Sequence, residues 1–231
     1  MRRAGLAGSV RRVRGAICVC GGHYRGRELS NAPLRQNSRQ RYERRRREIA
    51  DIAAQVFAER GYHDASIGDL VAATGLQRGG LYHYISGKEE LLVLIHQRFM
   101  EPLLEQTRTA LEANEPPDVM LRRLTHLLLR SVEQHQAQVT VFLREWRNIK
   151  DSQAWEGVIA ARREYEEMLL KVLRRGTDEG IFSISDHKMA AMSLLGMINY
   201  TYQWFDPAGR IGVEELADQM SDIFLDGIRS A

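Results

Sequence analysis

The sequence predicts an all-α protein, a small three-helix head at 41–92 followed by a larger helical body at 93–231. Apolar residues from Ile49 onward recur three and four apart, the period of a helix, and no run alternates as a half-buried strand would. The 231 residues hold only 5 prolines, and several apolar stripes stop at a glycine, the residue that ends helices most readily. Charge is also divided. Residues 1–47 carry fourteen arginines against Glu28 and Glu43, a net of +12, so the other 184 residues carry −9 within a total of +3. A basic end on an acidic body points to a polyanionic partner for that end alone.

Residues 1–40 are rich in Gly, Arg and Ser without periodicity, and a solvated disordered tail is expected there. Its apolar run Ala16 to Cys20 is too short for a signal core, and no uncharged stretch is long enough to span a bilayer. Cys18 and Cys20 form a lone Cys-x-Cys without a second pair, too little for structural zinc or a disulfide framework. A cytoplasmic protein with no membrane association and no metal is expected.

The first helix is read from Ile49, Ile52, Ala53, Val56 and Phe57, and stops at Gly61. Ser66 opens a second, with Asp69 placed to close a capping box, and Gly75 ends it. A third runs from Gln77 to about Ile85. Ser86 with Glu89 starts a fourth carrying Leu91, Leu92, Ile95 and Phe99, which Pro102 is expected to kink or end. The body then reads as helices at 118–134, 136–149 and 152–175, the last closed by Gly176. Ser185 opens a helix reaching Trp204, and a final one covers 213–228.

Two short helices joined at a glycine after a longer first helix make a helix-turn-helix. Leu81 and Ile85 would anchor the third helix, while Arg78 and Tyr82 project together from a neighbouring face.

Residues 49–92, IADIAAQVFAERGYHDASIGDLVAATGLQRGGLYHYISGKEELL, resemble the DNA-binding head of TetR-family regulators. The likeness rests on Ala-x-x-x-Phe-x-x-x-Gly-Tyr in the first helix, Leu-Tyr-x-Tyr in the third and Lys-Glu-x-Leu in the fourth. It implies a sequence-specific DNA-binding transcriptional regulator, a homodimer on a palindromic duplex operator. Arg78 is then the candidate for reading guanine and Gln77 for adenine. Tyr82, Tyr84 and Lys88 match positions that hold phosphates in the family, and Ser66 adds a helix N-terminus that favours an anion. His83 is either a contact or a packed aromatic. Gly79 and Gly80 depart from the family, which places a small hydroxyl residue or alanine at 80, so Gly80 either takes part in readout or allows closer approach to the DNA backbone. The arginines at 39, 41 and 44–47 either follow a phosphate backbone or minor groove, or form a solvated first turn.

The body holds no His-Glu-x-x-His, no glycine-rich phosphate loop and no nucleophile elbow, which argues against an enzyme. The resemblance implies instead a small-molecule inducer between its helices. The stretch from Glu179-Gly-Ile-Phe to Trp204-Phe-x-Pro resembles the branch that responds to acyl-CoA or sterol-derived thioesters. Such a protein is a ligand-released repressor of fatty-acid or sterol catabolism genes. A ligand-independent DNA-binder and a TetR-type repressor of a drug-efflux pathway are the alternatives. Candidate pocket residues are Phe99, Leu128, Phe142, Trp146, Tyr165, Met168, Met197 and Tyr200, each weighed against an ordinary place in the core. Arg162 is read either as a CoA-phosphate contact or as half of a surface ion pair. For dimerisation, Leu216, Met220, Ile223 and Gly227 with Leu194, Leu195 and Ile198 would build a four-helix seam.

Overall fold

The computed structural model describes residues 32–146 and 155–229. The expectations for the tail before residue 32, including Cys18 and Cys20, and for the helix ends near 149 and 152 lie outside them. The described residues form helices α1 (Ala32–Arg60), α2 (Ile67–Thr74), α3 (Arg78–Tyr82), α4 (Lys88–Glu112), α5 (Pro117–Gln134), α6 (Gln136–Glu145), α7 (Glu156–Asp178), α8 (His187–Asn199) and α9 (Val213–Ile228). A 3₁₀ turn, Tyr200–Gln203, follows α8.

The first helix is longer than its apolar stripe. It begins at Ala32, inside the stretch expected to be unstructured, and its arginine-rich half is tied down by tertiary contacts. Tyr42 stacks on Tyr84 with ring centroids 5.1 Å apart, and its hydroxyl donates to the His83 carbonyl at 3.3 Å. Arg46 donates to the Tyr84 carbonyl at 3.1 Å and pairs with Glu90, and Arg45 reaches the Thr74 carbonyl at 3.2 Å. Further on, Ile49, Ala50, Ala53, Ala54 and Phe57 are buried. Gly61, at φ 86°, takes the left-handed conformation that ends the helix.

Pro102 does not end α4, which runs on for ten residues to Glu112. The proline is exposed, so the carbonyl it leaves without an N–H faces solvent, while Phe99, Leu103 and Leu104 are buried on the other side. The helix is capped by Glu90 and not by Glu89: the Ser86 N–H and hydroxyl donate to the Glu90 carboxylate at 2.6 and 2.8 Å.

Gly176 lies inside α7 and does not close it. A β-carbon there would stand 2.1 Å from the ring of buried Phe182, so the glycine is what lets the chain after the helix fold back against it. The left-handed stop is Gly180, at φ 73°. Asp186, not Ser185, caps α8 by accepting from the Met189 N–H at 3.0 Å.

In the body α5 packs on α9, α4 and α7, and α7 also packs on α8. Head and body meet through α1 and α4, which pack on each other and on α6. Arg98 of α4 grips Asp51 of α1 with two hydrogen bonds of 2.8 and 2.9 Å, and Gln138 of α6 donates to the same carboxylate at 2.8 Å. Trp155 adds a hydrogen bond to Glu89, at 3.1 Å. A two-pronged grip on a carboxylate holds its partners to one geometry, so α4 is fixed against α1 at this point.

Candidate nucleic-acid interface and ligand cavity

α2 and α3 are positioned by local chemistry. Ser66 accepts from the Asp69 N–H at 3.1 Å, and the Asp69 carboxylate accepts from the Ser66 N–H at 2.8 Å, closing the capping box. The Ser66 hydroxyl and backbone hydrogen bonds hold the Asp69 carboxyl below the usual carboxylate range, with Arg60 adding to the effect. Gly75 ends α2 at φ 67°, turning the chain straight into α3. Leu81 and Ile85 are buried and fix that short helix to the head.

Its other face is open. Gln77, Arg78, Gly79, Tyr82 and His83 are exposed, as is Ser66 at the start of α2. Arg78 and Tyr82 stand one turn apart, and Tyr82 is 47% exposed. Neither side chain has a hydrogen bond or ion pair among the described residues, so the Arg78 donors are free for an outside acceptor. A β-carbon on Gly79 would meet nothing within 4 Å, and one on Gly80 only Leu76 at 3.9 Å. Packing inside the chain therefore does not require either glycine.

Two expected contacts are otherwise employed. The Lys88 ammonium donates to the carbonyls of His63 and Ala65 at 3.3 and 2.7 Å and lies 4.7 Å from the centre of the Tyr62 ring. It holds the start of α4 to the loop before α2. Tyr84 is half-buried against Tyr42, which leaves His83 as the more exposed of the two. Sequence patterns do not single out Tyr42, Arg45 and Arg46 individually, although the arginine cluster around them is visible there.

In the body a cavity of about 530 Å³ opens between α4, α5, α6, α7 and α8. Phe99, Leu128, Phe142, Trp146, Arg162 and Tyr165, all expected, line it. Met168, Met197 and Tyr200 do not. Met168 borders a groove on the outer side of α7, Met197 packs half-buried against the core, and Tyr200 is 64% exposed. Val139 and Asn199 line the cavity without having been foreseen, as does Leu195, expected in the dimer seam. No sequence signal separates such residues from ordinary core. Arg162 does not form the surface ion pair considered for it. It lies half-buried with its guanidinium 3.9 Å from the Trp146 ring centre.

The expected dimer stripe divides between two faces. Leu194, Ile198 and Leu216 are buried in their own protomer and cannot meet a twin. Helix α9 points Leu216, Phe224 and Leu225 inward, so only Met220, Ile223 and Gly227 of the stripe remain at the surface. Ile223 joins Met189, Met192, Tyr200 and Trp204 as large exposed apolar residues of α8, the 3₁₀ turn and α9. No described helix is long and apolar enough to cross a membrane, and the described residues hold no cluster that could bind a metal.

Comparison with known proteins agrees with both halves of this arrangement. Residues 49–95 match the model of bacterial regulatory proteins of the tetR family, and residues 114–228 match the tetracyclin repressor-like C-terminal domain. The ketosteroid transcriptional regulator KstR2 of Mycobacterium tuberculosis superposes with a TM-score of 0.75 at 25% identity, covering 81% of this chain and 96% of its own. The TetR family transcriptional regulator PfmR from Thermus thermophilus is 34% identical, with a TM-score of 0.70 and coverage of 77% and 97%. AibR, solved with isovaleryl coenzyme A and operator DNA, is 27% identical, with a TM-score of 0.69 over 78% and 97%. A reading head with a free arginine on its short third helix, carried by a hollow helical body, thus sits on a fold shared along nearly the whole length of these proteins, and the chain belongs to the TetR family of DNA-binding transcriptional regulators.

Proposed function

We propose that the protein is a ligand-released repressor of lipid catabolism genes, of the fatty-acid or sterol kind, which binds a palindromic operator as a homodimer. The single observation that carries the DNA half is the unpartnered guanidinium of Arg78 on an exposed helix face. A guanidinium fork fits the O6 and N7 edge of guanine in the major groove. Gln77 reads beside it, Gly79 and Gly80 allow close approach, and Ser66, Tyr82 and His83 contact the backbone. The boundary between a head at 41–92 and a body from 93 onward falls inside α4, which belongs to both. The exposed apolar face around Met192, Tyr200, Trp204 and Ile223 is the seam for the twin.

Likeness to a ketosteroid regulator and to a protein solved with isovaleryl coenzyme A supports a lipid-derived effector, an acyl-CoA thioester among them. Filling the cavity shifts α4, which lines it through Phe99, Met100 and Leu103 and grips the head through Arg98 and Asp51. The two heads then change separation, and only a ligand that prefers one state drives that change.

Selection of duplexes from a random pool tests the proposal. Wild-type protein enriches a palindrome, and Arg78→Ala loses about 1–3 kcal/mol of discrimination at one base pair per half-site. An unchanged preference in that variant refutes the assignment.

A further inference from the structure

We propose that the ligand of the cavity is an amphipathic anion, its apolar body held by the aromatic and aliphatic walls and its carboxylate or phosphate oxygens held by Arg162 with Tyr165. The inference rests on reading this cavity as the effector site.

Phe99, Leu128, Val139 and Phe142 make the walls apolar. A cation in such surroundings is costly unless an acceptor meets it. Yet Arg162 has no hydrogen bond or ion pair among the described residues. The acid that acts on it is Glu166, which also lines the cavity and whose carboxylate lies 3.6 Å from the Lys188 ammonium. Burial, opposed by Glu166, pulls the Arg162 pKa below its usual value, although a guanidinium stays charged. Instead of an acid, it meets the rings of Trp146 at 3.9 Å and Phe142 at 5.5 Å. A guanidinium that meets rings and no acid keeps N–H donors for a carboxylate or phosphate, which it can grip in bidentate fashion.

Tyr165 supplies the second, independent observation. It lines the same cavity one turn along α7, it is only 6% exposed, and its hydroxyl has no partner among the described residues. Buried phenols normally find one. Burial raises its pKa further, so it stays protonated and can donate. Arg162 and Tyr165 thus stand three positions apart on α7 without a hydrogen bond among the described residues, while Glu166, which lines the same cavity, has its carboxylate turned to the Lys188 ammonium. A neutral lipid would leave Arg162 and Tyr165 unpaired, and a lipophilic cation would meet the charge of Arg162, which argues against the drug-efflux alternative. Arg163, exposed at the rim, adds charge where a longer phosphate-bearing head would emerge.

The experiment uses the full chain, with calorimetric titration of oleate, methyl oleate, oleoyl-CoA and coenzyme A alone. Wild-type protein binds oleate or oleoyl-CoA at least tenfold tighter than methyl oleate. Tight binding of oleate places a carboxylate on Arg162, and binding of oleoyl-CoA alone places a phosphate there. Arg162→Met, which keeps the stacked bulk, erases that preference and leaves methyl oleate unchanged. Arg162→Lys keeps part of it, and Tyr165→Phe lowers anion affinity severalfold. Equal binding of the ester, full preference retained by Arg162→Met, or no binding of either anion overturns the proposal. Operator preference measured without ligand on the same proteins is a separate readout. Its loss in the wild type would sink the regulator reading, while anion binding would still stand or fall alone.

Discussion

His96 makes stability depend on pH in a way that can be calculated. The ring lies in α4 between Phe99 and Phe142, with centroids 5.2 and 4.5 Å away, is 1% exposed, and leaves Nε2 without a hydrogen bond. Burial, helped by the charge of Arg162, pushes its pKa from 6.5 down to about 3. The folded chain therefore keeps this ring neutral, while the unfolded chain takes up a proton below about 6.5. Its contribution is complete above that pH and drains away as pH falls toward 3. At about 1.4 kcal/mol per pH unit inside that window, going from pH 7 to pH 5 costs about 2 kcal/mol. In His96→Leu, of similar volume and with nothing to protonate, that loss disappears. Urea unfolding of both proteins at pH 7, 6 and 5, at one protein concentration, gives the comparison. His135, whose pKa burial also lowers, contributes equally to both and cancels. Glu214, held down to about 2 by Arg130 and His126, releases its contribution only as pH falls below its ordinary value of 4.5, beneath the pH 5 end of the comparison. Parallel stability curves for the two proteins would refute the reasoning.

Two glycines in helices predict opposite results from the same substitution. Gly176→Ala forces a methyl into the buried Phe182 ring, and an overpacking cost of about 1–3 kcal/mol should lower the thermal midpoint, an increase counting against this packing. Gly79→Ala meets open space, so helix propensity should raise the stability of the head by up to about 1 kcal/mol. Operator affinity should nevertheless fall, because the methyl stands on the face that approaches DNA. Stability and affinity rising together would show that closeness of approach is not why glycine stands there.

The head was legible because its signals are local. Ser66 and Asp69 are three residues apart and cap only each other, and Gly75 stops α2 by its own backbone conformation. The N-terminal half of α1 carries no apolar stripe, and what fixes it is a stack between Tyr42 and Tyr84, forty-two positions apart, which periodicity cannot register. The body failed where one residue type answers to two causes. A glycine near a helix end reads as a stop, yet Gly176 is there to admit a ring and Gly180 is the stop.

The dimer stripe shows the same ambiguity at larger scale. An interior face and a face awaiting a second protomer are both apolar, so α9 offers Leu216 and Ile223 with equal plausibility until its neighbours are known. The cavity is harder still, since a residue lining a void has the same composition as one filling it. Only polar groups break that degeneracy. An aromatic wall says nothing about its occupant, but a cation that meets rings and no acid among the described residues does, because an unpaired charge in apolar surroundings is costly. For this reason Arg162, which the sequence offered either as a phosphate contact or as half of a surface ion pair, carries more information about the ligand than the whole apolar lining.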